Sequence, residues 1–157
     1  MQGPDSVWAM SRQTFISFFF VVPLCFAQPV TLNLSSAEAS ANATVSLQCS
    51  FSAALSAPAS LQWTLQVPPS LDIVGVEGTR ALSEAGKSLV CKNGKCIVFG
   101  VNGTAIPSGP IAIVRIKIGQ NTAGKQQVQI RDALAASADA QAIQVTTSTG
   151  VITISDR

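Results

Sequence analysis

Two stretches of the chain alternate apolar and polar residues. From Thr44 to Ser52, Val45, Leu47, Cys49 and Phe51 occupy one parity, and Ser46, Gln48, Ser50 and Ser52 the other. Ser60 to Val67 repeats the pattern, with Leu61, Trp63, Leu65 and Val67 set against Gln62, Thr64 and Gln66. A period of two describes strands with one buried and one wetted face, as in antiparallel sandwiches. Turn residues divide the rest into further strand candidates: 30–36, 43–52, 60–67, 71–77, 87–91, 96–101, 111–118, 126–131, 143–147 and 151–155. Between them lie Ala57-Pro58, Pro68-Pro69, the 81–86 stretch, Pro107-Ser108-Gly109-Pro110, the 120–125 stretch and Ser148-Thr149-Gly150. Strands at this spacing, without a long amphipathic helix, predict an all-β sandwich of about nine strands. The Ala-rich stretch 133–142 has helical propensity, but its Ser and Asp residues and lack of bulk favour an excursion over the surface. Phe51, Trp63 and Phe99 share parity with Leu, Ile and Val, which assigns them to the core.

The front of the chain reads as an address. Phe15 to Ala27 is an almost unbroken apolar run, too short for the ~20 residues of a membrane span. It matches the apolar region of a secretory signal, with Arg12 before it and the small Ala27 at the cleavage point. Met10 offers a second start, and Leu24 is large where a lipoprotein signal centred on Cys25 would want a small residue. The expected organisation is a signal peptide at 1–27 and one domain at 28–157, secreted or held at the cell envelope. Its length suits a single core. Charged residues make up only 11% of the chain, net charge is +2, and the cations are scattered, which argues against nucleic-acid binding.

Cysteine usage agrees with export. Cys91-Lys92-Asn93-Gly94-Lys95-Cys96 reads as a hairpin tip, because Asn-Gly suits the two positive-φ positions of a type I′ turn. Lys92 then faces Lys95, and Cys91 faces Cys96 at a Cα separation of ~4.5 Å, within reach of a disulfide. A metal-binding thiol pair is the alternative, but the chain has no His and no second Cys pair to complete a zinc site. Cys49, on the buried parity of its strand, reads as a free core residue. In the same register Val90 opposes Ile97 and Ser88 opposes Phe99, a set assigned to the core side. Leu89, Val98 and the disulfide are then expected on the outer face.

Catalytic chemistry is sparse. Without His or Tyr, acid–base work would fall to carboxylates. Glu38, Asp72, Glu77, Glu84, Asp132, Asp139 and Asp156 are dispersed, nothing marks a facing pair of the glycosidase kind, and solvated surface is the simpler reading. No Asp-x-Asp-x-Asp-Gly calcium loop occurs. Asn33, Asn42 and Asn102 fit the glycosylation pattern, which chance explains in a chain so rich in Ser and Thr. No catalytic residue, metal site or cofactor is indicated.

Three segments carry a resemblance. Residues 61–78 (LQWTLQVPPSLDIVGVEG) resemble the third and fourth strands of cohesin domains, where an amphipathic strand runs into a Pro-containing corner. Residues 109–118 (GPIAIVRIKI) are similar to the family's seventh strand, and 149–154 (TGVITI) to its closing strand. The resemblance implies a nine-stranded jelly-roll sandwich and a non-catalytic recognition module. The partners it implies are dockerins of polysaccharide-degrading complexes. It also implies a binding face made of the third, fifth, sixth and eighth strands. The outward residues there are expected to be Gln62, Thr64 and Gln66, then Leu89 and Val98, then Gln127, Gln129 and Arg131: an apolar centre ringed by amides and one cation. Two other classes stay open, a carbohydrate-binding module and a structural subunit of an envelope, pilus or secretion assembly. The placing of all three mature-chain aromatics in the core lowers the sugar reading, because sugar sites usually stack exposed rings on the ligand.

Overall fold

The computed structural model describes residues 30–53 and 58–155. The expected signal segment, 1–27, lies outside the described residues. In chain order the elements are β1 (Val30–Leu34), β2 (Ala37–Ser40), β3 (Thr44–Ser52), β4 (Pro58–Gln66), β5 (Leu71–Gly78), α1 (Arg80–Glu84), β6 (Ser88–Lys92), β7 (Lys95–Phe99), β8 (Gly109–Ile118), β9 (Gly124–Ser137), β10 (Ala142–Ile143), β11 (Val145–Thr147) and β12 (Gly150–Ser155). They form a five-stranded sheet, β11-β1-β3-β8-β5, packed on a seven-stranded one, β2-β12-β9-β4-β7-β6, with β10 beside β9. This is the all-β sandwich that the alternation predicts, with the jelly-roll architecture that the resemblance implies.

Each expected strand forms, and the differences have local causes. The expected strand 30–36 stops at Leu34 because the chain changes sheets: β1 lies in one and β2 in the other. The two serines at the crossing replace lost ladder bonds. Ser35 Oγ accepts from the Gln48 amide at 2.7 Å, and Ser36 Oγ accepts from the Val151 amide at 3.0 Å. Beneath them Gly150 is required, since a Cβ would sit 2.7 Å from the Ser35 carbonyl oxygen. The expected strand 143–147 likewise divides into β10 and β11. The turn stretch 81–86 overlaps the short helix α1, whose Leu82 plugs the core.

The Ala-rich stretch 133–142 is not an excursion. It prolongs β9 to Ser137 and returns through β10, with Ile143 opposite Ala135 and Ala142 opposite Ala136. Small side chains suit it because β9 is interior there, flanked by β4 and β10.

Inward residues of both sheets make one core, including Leu32, Leu47, Phe51, Trp63, Ile116 and Ile152. Trp63 is its largest member, 1% exposed, and its indole Nε1 has no hydrogen-bond partner. Its place is set by volume, not polarity. Trp63→Ala is expected to cost ~3–5 kcal/mol, a large share of the ~5–15 kcal/mol that holds such domains folded. Chemical denaturation with tryptophan-independent circular dichroism measures it.

Cys49 is free and buried, as its parity predicts, and burial pushes its thiol from 9.0 up to about 12. In the unfolded chain the thiol loses its proton near pH 9, so between pH 9 and 12 the folded state holds the proton that the unfolded state has lost. Stability therefore falls with rising pH across that window. Cys49→Ala is expected to flatten that part of the denaturation profile.

Candidate functional site

The Asn-Gly hairpin forms in the predicted register. Asn93 and Gly94 have φ of 52° and 78°, as a type I′ turn needs. Ser88 pairs with Phe99, Leu89 with Val98, Val90 with Ile97, Cys91 with Cys96 and Lys92 with Lys95. Cys91 and Cys96 are disulfide-bonded, with Cα atoms 4.1 Å apart.

The facing of this hairpin is the reverse of the expected one. Leu89 and Val98, expected outside, point into the sandwich: Val98 is 0% exposed and Leu89 packs against the core. The disulfide lies on the inner side too, with Cys96 fully buried. The cause is the pairing with β4, where Trp63 sits opposite Cys96 and Leu61 opposite Val98. Side chains on one rung share a face, so burying Trp63 and Leu61 draws in Cys96 and Val98. Ile97, Phe99 and Val90, expected inside, are turned out, at 42%, 44% and 53% exposure.

The other expected site residues take the outer face of the seven-stranded sheet. Gln62, Gln66, Gln127 and Arg131 are exposed, and Thr64 and Gln129 half-buried. Thr64 lies opposite Arg131 and Gln66 opposite Gln129. The Gln129 side-chain oxygen accepts from the Arg131 Nε at 2.9 Å and from Nη2 at 2.6 Å, which holds the guanidinium along the strand.

Leu134 completes this face, 49% exposed, though its strand's earlier parity would bury it. Val128 and Ile130 point inward, and so does Ala135, an odd number of residues later. A bulge accounts for the change of phase. Two steps on β4, Gln62 to Thr64, span three on β9, Arg131 to Leu134, and Asp132 takes φ 52°. Asp tolerates this left-handed conformation better than most residues, so an Asp at this point of the strand run is the hint of the bulge that the residues carry.

The result is a banded surface. One cross-strand rung runs Leu134, Gln62, Ile97, Val90 over β9, β4, β7 and β6. At strand spacings of ~4.8 Å it is about 14 Å long. The next rung runs Arg131, Thr64, Lys95, Lys92 over the same strands. Phe99 flanks the first rung on its other side. An open groove of about 470 Å³ lies between the two over the hairpin, lined by Gln62, Val90, Lys92, Asn93, Lys95 and Ile97. Among the described residues no group of His, Cys, Asp and Glu could hold a metal ion, and no helix is long and apolar enough to cross a membrane. Glu77 and Glu84 are engaged in ion pairs with Arg115 and Arg80, each at 2.7 Å.

Aspartate substitutions separate the two faces of β7. Val98→Asp places a charge in the core and is expected to abolish cooperative folding. Ile97→Asp, one residue earlier, is expected to leave the melting temperature within a few degrees of wild type. Thermal denaturation of the pair measures both.

No family model matches the chain, and no curated protein matches it in sequence. Solved structures do match it. A non-cellulosomal cohesin from the archaeon Archaeoglobus fulgidus superposes with a TM-score of 0.66 at 15% identity, over 82% of this chain and 92% of that one. The third ScaB cohesin of R. flavefaciens, in complex with a group 1 dockerin, gives 0.70 at 13% identity over 82% and 96%. The third ScaC cohesin of Acetivibrio cellulolyticus, in complex with the ScaB dockerin, gives 0.69 at 14% identity over 81% and 99%. At such identities the likeness is one of fold: this chain has a cohesin-like fold.

Proposed function

We propose that the chain is a non-catalytic recognition module of cohesin type, exported through the segment at 1–27, whose outer seven-stranded face binds a dockerin-like protein. The observation that carries this reading is the apolar rung with its neighbour Phe99. Val90, Ile97, Phe99 and Leu134 are four large apolar side chains, each 42–53% exposed, gathered on one face. Isolated exposed aliphatics are ordinary, but a gathered set edged by amides and cations has the core-and-rim pattern of a protein interface. The face is backed by hydrogen-bonded strands, which suits docking of a preformed surface. Support of another kind comes from the structural neighbours, two of which are held in complexes with dockerins. A setting in extracellular polysaccharide breakdown goes with this reading.

The test is titration calorimetry with purified dockerin domains, wild type beside Ile97→Asp and Val90→Asp. Binding at micromolar affinity or tighter is expected for wild type, weakened at least tenfold by either substitution. A folded double variant that binds as wild type does removes this face from consideration.

A second reading has one observation in its favour. Phe99 is turned outward, so a ring is available for stacking on a sugar. Retention on an insoluble polysaccharide that Phe99→Ala abolishes, without dockerin binding, would make the chain a carbohydrate-binding module.

A further inference from the structure

The cationic rung beside the apolar one is not needed by the fold. Lys92 and Lys95 are exposed and face each other directly across the hairpin tip. Like charges in directly opposed positions of a β-ladder are destabilising. Arg131 lies on the same rung beyond Thr64, its guanidinium held along the strand by Gln129. Among the described residues, none of these three cations has a carboxylate within 4.0 Å. Asp132, in the bulge, borders the hollow that Thr64 and Lys95 line, and is the acidic group there. The remainder of the band is positive along its length. It runs beside Leu134, Gln62, Ile97 and Val90, two residues away along β4, β7 and β6, ~7 Å, and three away along β9 through the bulge.

We propose that the partner segment is an acidic amphipathic helix lying across the strands, with aliphatic side chains on the Leu134–Ile97–Val90 rung and carboxylates on Arg131, Lys95 and Lys92. A helix is favoured over an added strand because β9, β4 and β7 are paired on both sides, so the face offers side chains and not backbone. The ~14 Å rung corresponds to about ten helical residues at 1.5 Å each. One side of the apolar stripe would carry Glu or Asp at i, i+3 or i+4 spacing. This inference rests on the outer face being a docking surface and names the chemistry of what docks there.

The probes are three stapled 15-residue helical peptides with the same Leu stripe, flanked along one side by Glu, Gln or Lys. Nuclear magnetic resonance of the whole domain follows the signals of Val90, Ile97, Phe99 and Leu134. The Glu peptide is expected to bind about tenfold more tightly than the Lys peptide in 50 mM salt, with the gap closing towards 500 mM. Lys92→Glu combined with Lys95→Glu is expected to invert that order. Lys95→Gln is expected to weaken the Glu peptide while leaving the free domain at least as stable as wild type, which a purely structural lysine would not do. Equal binding of all three peptides, abolished by Ile97→Asp, keeps the docking face and overturns the acidic partner. Polygalacturonate shifting the Lys92 and Lys95 signals while no peptide binds overturns it in favour of an anionic polysaccharide. Failure of every peptide to move the four apolar signals overturns it together with the docking face.

Discussion

The rung on which Trp63 meets Cys96 governs the molecule on both sides of the sheet. A strand has two faces and no third option, so once the indole is buried, every neighbour on that rung is committed inward and every adjacent rung outward. Inward, the commitment places the disulfide and Val98 beneath the hairpin. Outward, it lifts Ile97 and Val90 into solvent beside Gln62. The apolar docking rung and the core are therefore two consequences of one pairing. The surface cannot be hidden without exposing Trp63, the largest side chain of the described core.

That coupling explains what could and could not be read from the residues alone. In β3 and β4 the two parities differ in chemistry, so the buried face is evident from a single strand. In β7 both parities are apolar: Cys96 and Val98 against Ile97 and Phe99. Local alternation then fixes the hairpin register, through Asn93-Gly94, but not which side faces the core. Only the distant partner strand, β4, supplies the sign. Leu134 was hidden for a related reason, because one extra residue near Asp132 shifts the phase of β9 midway. Gln62, Thr64, Gln66, Gln127, Gln129 and Arg131 were legible as outward because they lie on strands with clear alternation, before the bulge intervenes.

The surface chemistry is economical in charge. Amides, hydroxyls and alanines cover most of the sandwich, so a small number of lysines and arginines sets the local field. At low charge density each such group is poorly screened by its neighbours, and a short cationic band acquires a distinct identity. The five-stranded sheet shows the contrast: there Arg115 is neutralised by Glu77 across β8 and β5. Along the band on the seven-stranded sheet, among the described residues, no carboxylate lies within 4.0 Å of a cation, and Asp132 borders it without pairing.

The sheet crossing at Ser35 and Ser36 has a consequence for how the chain reaches this state. The segment on its near side lies parallel to β11, and the segment on its far side lies parallel to β12, so residues near 30–40 are zipped to residues near 145–155 in both layers. Parallel pairing across more than a hundred residues brings its closure entropy before its reward. Without β12, β2 has no neighbour in the seven-stranded sheet and β9 has an open edge. Folding is thus expected to be slow and to wait on β11 and β12, and loss of the whole 30–40 or 145–155 segment opens both sheets at once.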